Sequence, residues 1–199
     1  MDEARRAPVK AMGSKLPLVL MVVALVGGCG TQQQYQQPPA RDDEVLYMND
    51  AYETLNKSLE AEIKNDQVQV KQLKNRIQVT MADEILFPEG GWEVGPHGIE
   101  LLNKLSPSLQ GLYGKRIVVQ SFTDNLPVSA ALRSRFPTNW ELSGERATNV
   151  VRHLQTLGID PSTLVAEAFG QYHPIASNET PDGRRENRRI HIVIEDFDL

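Results

Sequence analysis

From Gln67 to the C-terminus, the apolar residues switch repeatedly between a spacing of two and a spacing of three or four. A strand returns to the same face every second residue and a helix every third or fourth, so a chain written this way folds as alternating strands and helices. Val68 and Val70, then Ile77, Val79 and Met81, alternate on either side of Lys74-Asn75. β-branched residues at that period predict a hairpin, although the same stretch also continues an upstream heptad through Val70, Leu73 and Ile77 as one long helix. We adopt the hairpin. Ile85-Leu86-Phe87 is a short apolar run that stops at Pro88-Glu89-Gly90-Gly91. From Gly98, Leu101, Leu102, Leu105, Leu109 and Leu112 share one helical face, and Pro107 within it predicts a kink or an interruption. Arg116 to Phe122 reads as a buried strand. Thr138-Asn139-Trp140-Glu141 has the pattern of a capping box; the helix it opens carries Ala147, Val150, Val151 and Leu154, and Gly158 stops it. Leu164 to Phe169 forms a strand, Gly170 to Arg185 a long polar loop and Arg189 to Glu195 the last strand. The order β-α-β-α-β-β predicts a two-layer α/β (α+β) sandwich over residues 67–199.

The first 66 residues read differently. Arg5, Arg6, Lys10 and Lys15 precede an eleven-residue apolar run, Leu16 to Val26, too short to span a bilayer but suited to the core of a signal peptide. Val26-Gly27-Gly28-Cys29 follows and looks like a bacterial lipobox, with Cys29 as the acceptor of diacylglycerol. Residues 1–28 are therefore expected to be removed, starting at Met1 or, with a more ordinary positive start, at Met12. Taking Asp2, Glu3 and the four basic residues from 26 acidic and 21 basic leaves 24 against 17, a net charge of -7. That balance argues against nucleic acid as a partner, which needs a basic field. A single cysteine allows no intrachain disulfide. Residues 29–43, rich in Gln and Pro, are expected to be a flexible tether. Residues 44–66 place Val45, Tyr52, Leu59 and Ile63 at heptad-compatible spacing. This predicts an N-terminal helix that serves as a spacer and a homodimer contact, with Asn49 and Asn56 fixing register.

A set of polar residues is distributed along the second half. Thr123-Asp124-Asn125 leaves a strand, Asn139-Trp140-Glu141-Leu142-Ser143 opens a helix that carries Arg146-Ala147, and Asn187-Arg188-Arg189 leads into Ile190-His191-Ile192-Val193-Ile194. With Gly170, Pro174 and Asn178 between them, this order closely resembles the OmpA/MotB-type peptidoglycan-binding domain over roughly residues 67–196. Phe-Pro-Thr-Asn-Trp-Glu-Leu-Ser, Pro-Ile-Ala-Ser-Asn-Glu-Thr and the longer loop 126–138 bring it closest to the MotB-like branch. The sequence departs from the family in Ser121-Phe122, where Gly-His is common.

The resemblance implies a fold, a ligand and roles. Diaminopimelate keeps an ammonium and a carboxylate on its distal stereocentre, so recognition needs an anion and a planar cation. A guanidinium suits the second task because it bonds a carboxylate through two parallel N–H groups. In the family these parts fall to the positions of Asp124 and Arg146, with Asn139 hydrogen-bonding the stem peptide and Arg188 near the pocket. Thr123 and Asn125 flank the acid as further donors. Taken singly, Asp124 is a strand-ending turn residue and Arg146 a solvated helix residue; Asn139 also serves as a helix start and Arg188 as a strand-entry ion pair.

The expected function is that of an outer-membrane lipoprotein, facing the periplasm of a Gram-negative bacterium, that tethers membrane to peptidoglycan. Gly30, where an aspartate would favour inner-membrane retention, points the same way. The alternatives are a MotB-like flagellar stator subunit or an accessory protein with other envelope partners. A stator needs an acid within its membrane helix, and Leu16 to Val26 has none. His97, His153, His173 and His191 lack metal-ligand spacing, and no nucleophile or nucleotide-binding motif appears. Neither metal, cofactor nor catalysis is expected.

Overall fold

The computed structural model describes residues 41–112 and 114–197. The expected signal peptide, Cys29 and nearly all of the tether lie outside them. α1 (Arg41–Ser58) and a short α2 (Glu60–Lys64) lead into β1 (Val68–Leu73) and β2 (Arg76–Ala82). There follow α3 (Asp83–Leu86), α4 (Pro96–Leu109), β3 (Lys115–Phe122), α5 (Asn139–Thr156), β4 (Leu164–Gly170), α6 (Pro181–Asn187) and β5 (Arg189–Asp196). From β2 onward, with the short α3 and α6 set aside, the order is β-α-β-α-β-β. The sheet runs β1-β2-β5-β3-β4. Its last strand enters the middle, antiparallel to β2 and β3, while β3 and β4 lie parallel across the α5 crossover.

The hairpin forms where the alternation predicts it, with Leu73 opposite Arg76 around Lys74-Asn75. Ile77, Val79 and Met81 point to one face and join Ile117, Val119, Ile190, Ile192 and Ile194 beneath the helices. Met48, Ala51 and Leu55 of α1 and Leu59 just after it join this core, and Tyr52 and Ile63 of the heptad set pack against it. Leu55 and Leu59 are wholly buried while Val45 is exposed. Each fully buried leucine contributes about 1.5–3 kcal/mol to this docking. Asn49 accepts a hydrogen bond from Gln72 Nε2 at 2.7 Å and so faces β1. α4 runs on past Pro107 to Leu109, because a proline this near the C-terminus removes only one late N–H bond.

The stretch read as a long polar loop contains α6. Thr180 caps it by accepting from the Gly183 N–H at 3.1 Å, and Pro181 starts it. Its residues carry no apolar stripe, so periodicity gives no sign of it. A second, smaller core holds the longer loop after β3: Val128, Phe136 and Leu142 are buried with Trp92 and Leu132 against them. The Trp92 and Phe136 rings meet edge to face at 5.2 Å, and the Arg135 guanidinium lies 4.8 Å from the Trp92 centroid. That loop is thereby fixed as one wall of the cavity described next.

Candidate functional site

The ends of β2, β3 and β4 and the start of β5 meet at one end of the sheet. Ala82 and Phe122 both pair with Arg189, and the residues just beyond them converge there. The Asp83 N–H donates to the Arg188 carbonyl at 3.1 Å, and the Thr123 N–H to the Gly170 carbonyl at 2.8 Å. Gly170 takes φ +54°, and a Cβ there would lie 3.4 Å from the Asn139 backbone. Its N–H bonds to Ser143 Oγ at 3.0 Å, tying the end of β4 to the first turns of α5. The expected capping box closes that helix start, with the Trp140 N–H donating to Thr138 Oγ and the Thr138 N–H to Glu141 Oε2.

Four charged side chains alternate in sign through this region. Asp124 Oδ2 accepts from Arg188 Nη1 at 2.7 Å. Arg188 Nε lies 3.6 Å from Asp83 Oδ1, and Arg146 Nη1 donates to Asp83 Oδ2 at 2.9 Å. Arg146 is further held by Nε donating to the Gly91 carbonyl at 2.9 Å and by the Phe87 ring 5.1 Å away. The other Asp124 oxygen accepts from the Leu126 N–H at 2.9 Å, which fixes the turn after β3. Burial pushes the Asp83 carboxyl up against the pull of Arg146 and Arg188, and it pushes the Arg146 guanidinium down against the pull of Asp83. Burial also opposes the Arg188 charge, but the Asp124 hydrogen bond and Asp83 outweigh it and hold its pKa above the usual value.

These groups line an open cavity of about 580 Å³. Thr123, Asn139 and Leu142 contribute to its walls, with Leu126, Pro127 and Val128 on the loop side. Glu84 and Glu89 bring the lining to four carboxyl groups against two guanidinium groups. Asn139 and Arg146 are seven residues apart on α5 and so share a face. Asn139 Nδ2 is committed to the protein, near the carbonyls of Leu126 (2.9 Å) and Asp124 (3.3 Å) and to Gln171 Oε1 (2.9 Å). Thr123 Oγ donates to the Asp124 carbonyl at 2.9 Å.

The OmpA family matches residues 86–188, half of the sequence. The chain belongs to the OmpA family. It is 31% identical to Motility protein B of Bacillus subtilis over 129 residues, covering 64% of the chain and 48% of that protein. It is 30% identical to peptidoglycan-binding protein ArfA of Mycobacterium tuberculosis over 122 residues, 61% of the chain and 35% of that protein. The chain thus spans half or less of these relatives. The structure of a MotB-like protein from Desulfovibrio vulgaris superposes with a TM-score of 0.69 at 26% identity, covering 78% of this chain and 98% of that one. The domain lies on the MotB-like branch of the family.

The sequence-predicted residues are distributed unequally around this OmpA-like cavity. Asp124, Arg146, Asn139, Thr123 and Arg188 line it; Asn125 does not, its N–H donating instead to Asn178 Oδ1 at 3.3 Å. Asp124 and Arg146 share the cavity without pairing: each is bonded to another charge, and Asp83 links the two halves. Asp83 was not legible as a site residue because its signal is only an acid after a strand. Phe122, at the position where His is common, lies away from the cavity, stacked on Phe169 at 4.7 Å with the Arg189 guanidinium 3.8 Å from its centroid. Asn-Arg-Arg divides its labour: wholly buried Asn187 accepts from the Ile175 and Ala176 N–H groups, Arg188 reaches the cavity and Arg189 packs on Phe122.

Proposed function

We propose that this chain is a non-enzymatic, peptidoglycan-binding envelope protein whose cavity holds the distal ammonium and carboxylate of diaminopimelate. The alternating Asp124–Arg188–Asp83–Arg146 chain is the observation that carries this reading. A simple anion would face Asp124 and Asp83, and a simple cation would face both guanidinium groups. A zwitterion matches each sign with its opposite, so it exchanges with existing pairs instead of leaving a charge unpaired. Its ammonium would join Asp124, and its carboxylate would take Arg188, whose side chain is 32% exposed, together with the cavity side of Arg146. Thr123 and Asn139 hold the Asp124 turn, and Asn125 acts from outside the cavity through the Asn178 loop. The mycobacterial relative is a peptidoglycan-binding protein, which supports peptidoglycan as the polymer bound.

We further propose that Cys29 anchors the protein by lipid in the outer membrane, facing the periplasm, through the tether expected over residues 29–43, whose last three residues begin α1. The similarity to Motility protein B favours a second reading, a stator subunit. Among the described residues no helix is long and apolar enough to cross a membrane, and the apolar run Leu16 to Val26 offers no acid for ion transfer. Co-sedimentation with purified sacculi tests the binding: wild type should pellet, and Asp124→Ala should stay largely in solution. Equal pelleting would remove the assignment. Fatty-acid labelling of wild type and Cys29→Ser separates the two readings of the N-terminus, since label on wild type alone supports the lipoprotein.

A further inference from the structure

Trp140 and Tyr172 form an aromatic pair that the hydrophobic core does not explain. Their rings stack with centroids 5.1 Å apart and planes at 24°, yet the residues remain 44% and 59% exposed. Both sit one residue beyond a hydrogen-bonded pair, one member of which lines the cavity. Trp140 follows Asn139, Tyr172 follows Gln171, and Asn139 Nδ2 donates to Gln171 Oε1 at 2.9 Å. Asn139 lines the cavity, so the Trp140 Cα is about 3.8 Å from a cavity residue's Cα. Gly170, at φ +54°, lets the chain after β4 pass within van der Waals reach of the Asn139–Trp140 backbone, which brings the two rings together.

We propose that Trp140 and Tyr172 are a platform for a sugar ring of the peptidoglycan glycan strand while the charged cavity holds the stem peptide; this rests on the reading of the preceding subsection. A pyranose presents a face of C–H groups with slight positive charge, complementary to the negative face of an aromatic ring. Its hydroxyl and N-acetyl groups need water or polar neighbours, and an exposed pair leaves them solvated. The covalent link between sugar and stem peptide favours the sugar over an unrelated partner. The stem peptide is covalently joined to the muramic acid, and diaminopimelate is its third residue. Three extended residues reach about 10–11 Å, and the γ-linkage of the second residue and the diaminopimelate side chain add to that span. A stem peptide seated in the cavity therefore keeps its sugar within one stem peptide's length of it, and the rings stand one residue beyond Asn139 in its lining.

The test is titration of the full folded chain with two probes: the free diaminopimelate tetrapeptide and the same tetrapeptide carrying its N-acetylglucosamine–N-acetylmuramic acid disaccharide. Wild type should bind the disaccharide form more tightly by roughly five- to tenfold, the gain expected of one aromatic contact. Trp140→Ala and Tyr172→Ala should each lose most of that gain without changing the affinity for the free tetrapeptide, and Trp140→Phe should keep part of it. Asp124→Ala should weaken both probes by the same factor. A wild type that binds both probes equally overturns the platform alone, as does Trp140→Ala weakening both equally. If neither probe binds wild type, the peptidoglycan reading fails and the platform with it.

Discussion

Replacing Arg146 with Ala should damage the fold as well as the site. Its guanidinium is buried, donates to Asp83 and to the Gly91 carbonyl, and lies against Phe87. Removing it leaves the Asp83 carboxyl with Arg188 at 3.6 Å as its remaining basic partner. Removing one member of a buried ion pair costs about 3–5 kcal/mol. For a domain of this size, roughly 2–4 °C per kcal/mol puts the fall in Tm on the order of 10 °C. The loss should depend on pH in a defined direction. Burial already raises the Asp83 pKa, and deleting Arg146 takes away a charge that lowers it. A group whose folded pKa lies above its unfolded value destabilises increasingly as pH rises between the two. Arg146→Ala should therefore be nearer wild type at pH 5 than at pH 7, as measured by urea unfolding at both. Asp83→Asn in a double-mutant cycle should show a coupling of about 0.5–3 kcal/mol. A loss under about 1 kcal/mol at pH 7, or the same loss at both pH values, would refute the assignment of Arg146 to a buried pair.

His191 supplies a separate acid-sensitive element. Burial, then the charges of Arg189, Lys71 and Arg76, push its pKa down to about 4. Because that lies below the unfolded value near 6.5, its contribution is present above about pH 6.5 and is lost as pH falls toward 4, up to about 3 kcal/mol. His191→Asn should flatten the stability profile between pH 6.5 and 4.5 relative to wild type, read by chemical denaturation. Gly98→Ala should destabilise by about 1–3 kcal/mol, since a Cβ there would lie 2.6 Å from the Leu86 carbonyl oxygen and push α4 off the segment that carries Asp83; the denaturation midpoint should fall with its slope unchanged.

The strands were legible because their apolar periods are short and local. The hairpin, β3, β4 and β5 fall where alternation or a buried run places them. The buried face of the N-terminal helices was legible in part. Tyr52, Leu59 and Ile63 of the heptad set do meet the core, but the buried stripe of α1 is centred on Met48, Ala51 and Leu55 and leaves Val45 exposed, and only the docked sheet selects it. α6 depends on a cap and a proline rather than on an apolar stripe. Thr123, Asp124, Asn139, Arg146 and Arg188 of the motifs line one cavity, but their pairing was not legible. Which acid meets which arginine is decided by the antiparallel register that sets Ala82 against Arg189, a contact between residues more than a hundred positions apart. Asp83 enters the network through that register.

In the proposed function, the cavity reads a zwitterion at the end of a side chain. Titration of wild type with a diaminopimelate tetrapeptide, and with the same peptide carrying lysine in its place, tests it most directly, because lysine keeps the ammonium and lacks the distal carboxylate. A charge-assisted contact of about 1.5–3 kcal/mol predicts that the lysine peptide binds roughly ten- to a hundredfold more weakly. It also predicts that Arg188→Ala lowers affinity for the diaminopimelate peptide far more than for the lysine peptide. Equal affinity of wild type for the two peptides would contradict the account.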